Sequence, residues 1–347
     1  MADTTERIAP KKENRYTILD ALRFVLAFWV VVGHFGVFPL FAGADTSTGI
    51  GRLLVHGWSS LVFGTPAVIG FFVISGFCIH LPFRYDEKML VGRYYARRYT
   101  RILIPLVAAV AAFKLLGNQQ PLFTGRHAIL WNSILWSLFC EEIYYAVYPA
   151  VRPLRRRLGW MPILAVIFAA AALTAATHPH ASDWSEDGPL QTALILFPVW
   201  LLGCVLAEQV ERLSPVTSAV AIWKWRFFVW AGSWICEMLH FKAHVYFTLT
   251  MIPFGVIAYF WIKRELAYSA AAKPLPWLVA AGTWSYSLYL FHEPAENVFS
   301  RLPVPNFGYS LNWCARTAFM LALSYLFYLA IERPSHRAAR KIRVIDK

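Results

Sequence analysis

The sequence is dominated by long apolar runs separated by short polar segments. The runs fall at residues 18–38, 59–81, 101–117, 128–150, 160–178, 190–208, 218–239, 245–263, 276–294 and 311–331. An α-helix rises about 1.5 Å per residue and needs about 20 apolar residues to cross hydrocarbon. The pattern therefore predicts an all-α chain, a polytopic transmembrane helix bundle of about ten spans. The polar segments are short, with no internal repeat, no low-complexity tract and no linker that marks a second domain. The predicted organisation is an N-terminal tail at 1–17, one transmembrane domain at 18–334 and a basic tail at 335–347. Any chemistry must then be done by the bundle itself. The first run is longer than a signal-peptide core and lacks a small-residue cleavage site after it, so it is expected to remain as the first span. The seventh run is irregular, because Lys224 and Arg226 fall inside it. They are expected at its start, reaching toward water.

Composition agrees with this pattern and excludes the main alternative. Of 347 residues, 58% are hydrophobic and 15% charged, against roughly a quarter charged in a soluble domain. A water-soluble fold could not hide so many apolar side chains. The net charge of +13 does not point to nucleic acid, because the cations gather in clusters between apolar runs. Those clusters include Arg7 to Arg15, Arg84 to Arg101, Arg152 to Arg157, Lys263 with Arg264, and Arg333 to Arg343. All fall on one side of a membrane if both termini are cytoplasmic. The opposite loops are poor in Lys and Arg, and one carries Asp183, Glu186 and Asp187. This alternation predicts an even number of spans. The five cysteines sit in apolar runs without C-x-x-C spacing and read as small buried hydrophobes, with no metal expected.

Titratable residues inside spans are costly, and that makes them the candidates for chemistry. Arg23 and His34 share the first run. Eleven residues of helix separate them by about 16 Å along the axis and only about 20° around it, so both face the same side. The alternative for each alone is an arginine reaching for water and a hydrogen-bonded structural histidine. Arg98 and Arg101 stand at i and i+3, on one helical face at the start of the third run. Their planar forks suit phosphate, although a basic cluster there also serves topology alone. Glu141 and Glu142 are adjacent in the fourth run and point about 100° apart, so one of them is expected to be structural. His292 ends the ninth run, where Pro294 is expected to break the helix. Ser75 and Gly76 are small residues of the kind that let helices pack closely.

Taken together, LDALRFVLAFWVVVGH, FFVISGF, RRYTRILIP, WSLFCEEIYYAVYP, SYSLYLFHEP and the closing Glu332 to Pro334 resemble the membrane acyltransferase family 3. This family includes O-acetyltransferases of bacterial O-antigen, exopolysaccharide and Nod factor. The segments occur in the family's order from Asp20 to Pro334. The resemblance implies that Arg23 and His34 match the basic-x10-His element and that Arg98 and Arg101 match R-x-x-R. It also implies that Glu141 fills the acidic position of W-S-L-x-x-E, and that His292 is the histidine of the S-Y-x-L-Y-L-x-H-x-P stretch. Phe139 and Cys140 replace the usual small or aliphatic residues. No transferase-like or hydrolase-like domain follows the bundle, so a relay through such a domain within one chain is not expected.

The expected activity is O-acyl transfer, with acetyl-CoA as the donor substrate and a hydroxyl of a surface glycan or glycolipid as the acceptor, in the bacterial inner membrane. Arg23, Arg98 and Arg101 are expected to bind the donor. His34, Glu141 and His292 are expected to be catalytic, with His34 as general base and Glu141 a candidate to orient its ring. A covalent acetyl-imidazole is the alternative to direct transfer. The rival functions are a small-molecule or glycan-precursor transporter and an assembly protein without chemistry. The first lacks paired Gly/Pro-broken helices, and the second leaves the Arg23–His34 alignment unexplained.

Overall fold

The computed structural model describes residues 16–116, 134–177 and 188–346. Among these residues the fold is helical, with no strand. A helix occupies the position of each predicted span, and residues 117, 128–133 and 178 of those runs lie outside the described residues. The elements are α1 (Thr17–Phe35), the short α2 (Gly49–Ser59), α3 (Gly64–His80), α4 (Val91–Leu115) and α5 (Trp136–Leu158). They continue with α6 (Trp160–Thr177), α7 (Pro189–Gln209), α8 (Ala219–Ala243), α9 (Phe247–Ser269) and α10 (Pro276–Gly282). The last are α11 (Ser285–Phe299), α12 (Tyr309–Phe327) and, after a π-helical turn at Tyr328–Glu332, α13 (Arg333–Arg340).

Among the described residues, five segments are long and apolar enough to cross a membrane: Thr17–Phe35, Gly49–Phe83, Trp160–Thr177, Pro189–Arg212 and Tyr309–Arg340. The protein is an integral membrane protein. Helix α6 shows why water cannot be its only solvent. It buries only Ile163 and Ala171, while Met161, Val166 and Leu173 are each more than 60% exposed. An apolar helix with so little of its surface inside the protein belongs in lipid.

The bundle is built around α3 and α7, which pack more closely than any other pair. Two glycines make this possible. A Cβ on Gly76 would collide with the Trp200 carbonyl, and one on Gly203 would collide with the Val73 carbonyl. Cys204 Sγ donates to Gly76 O at 3.4 Å across the same contact. Close backbone approach through small residues replaces the hydrophobic effect, which is absent between helices in lipid. Phe72, Tyr144, Tyr148 and Trp200 fill the space beside it as a fully buried aromatic cluster.

Several boundaries differ from expectation, each for a physical reason. Helix α4 starts at Val91, ten residues before the apolar run, because its first turns bury Tyr94 against Phe83 and Tyr148. The 276–294 run is two helices, α10 and α11, interrupted at Thr283–Trp284. Pro294 does not end α11, which continues to Phe299. The His292 ring donates to carbonyls of the preceding turn, at Leu288 and Tyr289. Arg226 does not simply reach for water. It forms a two-point ion pair with buried Glu265 of α9, at 2.7 and 3.0 Å, and Trp261 Nε1 donates to the same carboxylate at 3.0 Å. At the basic end, Arg155 binds Glu208 at 2.7 Å and Arg156 binds Asp86 at 2.8 Å. That Arg156 hydrogen bond, with both arginine charges nearby, holds the Asp86 carboxyl below its usual range.

Candidate active site

Two adjoining features contain all six residues singled out in the sequence. The first is a cavity of about 580 Å³ enclosed by α1, α3, α4, α5, α11 and α13. Arg23, Arg98, Arg101 and Glu141 all line it. Arg23 reaches it from α1, anchored by Asp20 at 3.0 Å and by Cys78 Sγ at 2.9 Å. Arg98 lies with its guanidinium carbon 4.6 Å from the centre of the Tyr145 ring, a cation–π contact that fixes the fork's plane. Arg101 donates from Nε to His336 Nε2 at 3.1 Å. The R-x-x-R pair therefore lies within α4, not at its start.

The second feature is a pair of histidines where α1 and α11 meet. His34 Nδ1 and His292 Nε2 are 3.2 Å apart. The proton positions follow from the partners. His292 Nδ1 faces two carbonyl oxygens, Tyr289 O at 2.8 Å and Leu288 O at 3.1 Å. Carbonyls only accept, so Nδ1 carries the proton and the neutral ring's Nε2 presents a lone pair. His34 must then donate to it from Nδ1, which leaves His34 Nε2 bare. That nitrogen stands beside Gly64, where even a Cβ would lie 3.6 Å away, so no side chain at this position covers it. His292 is fully buried, whereas the His34 side chain is 35% exposed.

A carboxylate completes the group. Glu293 Oε1 lies 3.5 Å from His34 Nδ1, on the side of the ring opposite the bare nitrogen. The carboxylate beside His34 is Glu293, whereas Glu141 lines the arginine-lined cavity. His34, His292 and Glu293 also offer ligand atoms within 4.8 Å of one another, a spacing that a divalent ion could span. The hydrogen-bond directions account for the same cluster as a proton-handling group.

The cavity and the histidines are close neighbours. Phe71, Ser137 and Tyr289 form the part of the cavity wall nearest the pair, and Tyr289 precedes His292 by one helical turn. Tyr289 is fixed by donating to Ile134 O at 2.6 Å, while Ser137 Oγ lies 2.8 Å from its hydroxyl. Its ring meets Phe71 edge-on at 6.0 Å. One turn of helix is about 5.4 Å, so the cavity wall at Tyr289 and the His292 position stand about that far apart along α11.

Comparison with known proteins identifies the family. The profile of the family described as "Acyltransferase domain", acyltransferase family 3, matches residues 16–329. The chain belongs to this family. Among curated proteins, the acyltransferase MdmB of Streptomyces mycarofaciens is 24% identical over 366 aligned positions, covering 91% of this chain and 88% of that protein. No solved structure matches the chain significantly. The family-3 match runs through α1 to α12 and so includes the histidine pair and the cavity walls other than α13.

Two further features of this acyltransferase were not read from the sequence. Glu293 follows His292 directly, but the expected break at Pro294 obscured its place inside the helix. Glu332 was seen only as part of a closing motif. It is buried, accepts from Ser287 N at 3.0 Å and from Ser287 Oγ, and lies 3.3 Å from His336. A glutamate directly after the last apolar run, followed by Arg333 and Pro334, is its signal.

Proposed function

We propose that the protein is a membrane O-acyltransferase that takes an acetyl group from cytoplasmic acetyl-CoA and places it on a hydroxyl of a surface glycan or glycolipid. The observation that carries this reading is an arginine-lined cavity whose wall residue Tyr289 stands one helical turn from His292, the partner of a histidine with an accessible bare nitrogen. The phosphates of the donor bind Arg98 and Arg101, with Arg23 deeper along the same wall. The pantetheine arm runs past Phe71 and Tyr289, bringing the thioester to His34.

The reaction balances with the groups present. The acceptor hydroxyl gives its proton to His34 Nε2 as its oxygen attacks the thioester carbonyl. The tetrahedral intermediate collapses, the C–S bond breaks as the C–O bond is kept, and the proton passes to the departing thiolate. The imidazolium formed in between is stabilised by Glu293, and its Nδ1–H remains directed at His292. This is the orienting logic of a base held by an acid, applied to a hydroxyl that is a poor nucleophile near neutral pH. Ten spans, both termini in the cytoplasm and a bacterial inner-membrane location fit this direction of transfer.

The test is mass spectrometry of envelope glycans from cells with and without the gene, combined with label from acetyl-CoA. A loss of one acetyl group per acceptor unit, with label entering that unit only when the gene is present, supports the proposal. Unchanged glycans and no labelled product contradict it.

A further inference from the structure

We propose that α13 is part of the donor site, and that Arg333, Arg337 and Arg340 hold the phosphates at the nucleotide end of coenzyme A, the 3′-phosphate included. This rests on the acyl-CoA reading above. In the sequence these residues are a cytoplasmic basic tail, and topology alone would leave them facing solvent. The structure instead turns them toward the cavity, which all three line.

The helix is held in place by residues beside these arginines. Glu332 ties its start to Ser287 of α11, His336 accepts from Arg101 of α4, and Ser335 and Ala339 are buried. The three arginines occur at i, i+4 and i+7, which places them on one stripe about 10 Å long. All three are exposed, and among the described residues none is paired with a carboxylate. Several basic residues elsewhere at this end behave differently. Arg84, Lys88, Arg155 and Arg156 each bind an acidic side chain. A cluster that serves only orientation has no reason to keep its charges unpaired against a cavity wall.

The charge on that wall points to the ligand. Seven arginines line it, four from α1 and α4 and three from α13, against the carboxylates of Asp20, Glu141 and Glu332. The excess is four positive charges by that count. Like charges gathered around one concavity repel one another unless an anion shares the space. A diphosphate brings about two negative charges and a terminal phosphate monoester about 1.5 to 2 more. A stripe about 10 Å long is also wider than one phosphate can use, but it suits a ligand with phosphates at two places. Arginine forks bind such oxygens in pairs. An anionic lipid headgroup offers the same phosphate chemistry, so the test separates the two.

The experiment measures binding of acetyl-CoA and acetyl-3′-dephospho-CoA to the full chain in phosphatidylcholine nanodiscs. The wild type should prefer acetyl-CoA by about tenfold, the equivalent of one well-made charged contact. The double variant Arg337→Ala, Arg340→Ala should bind acetyl-CoA about tenfold more weakly or worse and lose the preference, while Arg337→Lys, Arg340→Lys should keep part of it. Matching thermal unfolding of both variants guards against a folding defect. Adding phosphatidylglycerol to the nanodiscs should leave the preference intact. Variants that bind and discriminate like the wild type overturn the role of α13, as do variants that lose only their response to phosphatidylglycerol. A wild type that binds neither thioester overturns the acyl-CoA reading itself, and this proposal with it.

Discussion

His34 Nδ1 lies between two partners, His292 Nε2 at 3.2 Å and Glu293 Oε1 at 3.5 Å, which are supplied by adjacent residues of one helix. Adjacent side chains on a helix point about 100° apart and rarely serve one group. Here both reach the same nitrogen where α11 packs against α1. The result is a histidine with its proton fixed on the far nitrogen and its reactive nitrogen free.

Glu293→Gln keeps a polar group beside His34 but removes the charge that stabilises the imidazolium. Turnover should fall at least about tenfold, equivalent to about 1.4 kcal/mol in the barrier. The dissociation constant for acetyl-CoA should stay unchanged. Steady-state transfer rates alongside donor binding check both parts. Wild-type turnover in the variant would mean that Glu293 plays no part in the proton step.

Arg98→Ala and Arg101→Ala should each weaken acetyl-CoA binding by about tenfold, since each removes a charged hydrogen-bonding fork. Arg→Lys should also weaken it, because the charge survives and the planar geometry does not. Calorimetric titration of the purified protein reads this directly. Unchanged affinity in both alanine variants would reduce the cluster to a topology signal.

Gly76→Leu places a side chain where the Trp200 carbonyl already stands. The α3–α7 contact must open, at a cost of about 2 kcal/mol or more. Thermal unfolding in detergent should occur at a lower temperature, and donor binding should weaken with it because Ser75 of the same turn lines the cavity. A variant as stable as the wild type would show that this contact is not the tight point of the bundle.

The basic loops define the proposed topology independently of the site. A cysteine introduced between His178 and Pro189, where Asp183, Glu186 and Asp187 replace the cations found in other loops, should react with an impermeant maleimide from outside intact cells. Labelling only after permeabilisation would reverse the orientation and place the arginine cavity on the wrong side for cytoplasmic acetyl-CoA.

What could be read in advance was governed by helix geometry. The separation of Arg23 and His34 follows from fixed rise and rotation, and the pairing of Arg98 with Arg101 from i, i+3 spacing; the structure places all four residues in the two features described. Contacts between helices carry no such period. His292 looked like a lone interfacial histidine because nothing in SYSLYLFHEP indicates that α11 meets the end of α1. Glu293 is hidden by Pro294, which suggests a helix end where α11 in fact continues to Phe299. Arg226 seemed misplaced in an apolar run because Glu265, its partner, lies 39 residues away on another helix. Arg333, Arg337 and Arg340 looked like a tail because a charge pattern reports which side of a membrane a segment prefers, not which way a helix turns once it is there.

The central claim is that His34 removes the acceptor's proton, and one measurement tests it most directly. Purified wild type and His34→Ala are each reconstituted with labelled acetyl-CoA and an envelope glycolipid extract, and transfer is followed alongside acetyl-CoA binding. A positioned imidazole contributes about 100- to 10,000-fold to such a step, so transfer in the variant should fall by that factor while donor affinity holds. Transfer at a substantial fraction of the wild-type rate, in a variant that still binds acetyl-CoA, would contradict the account.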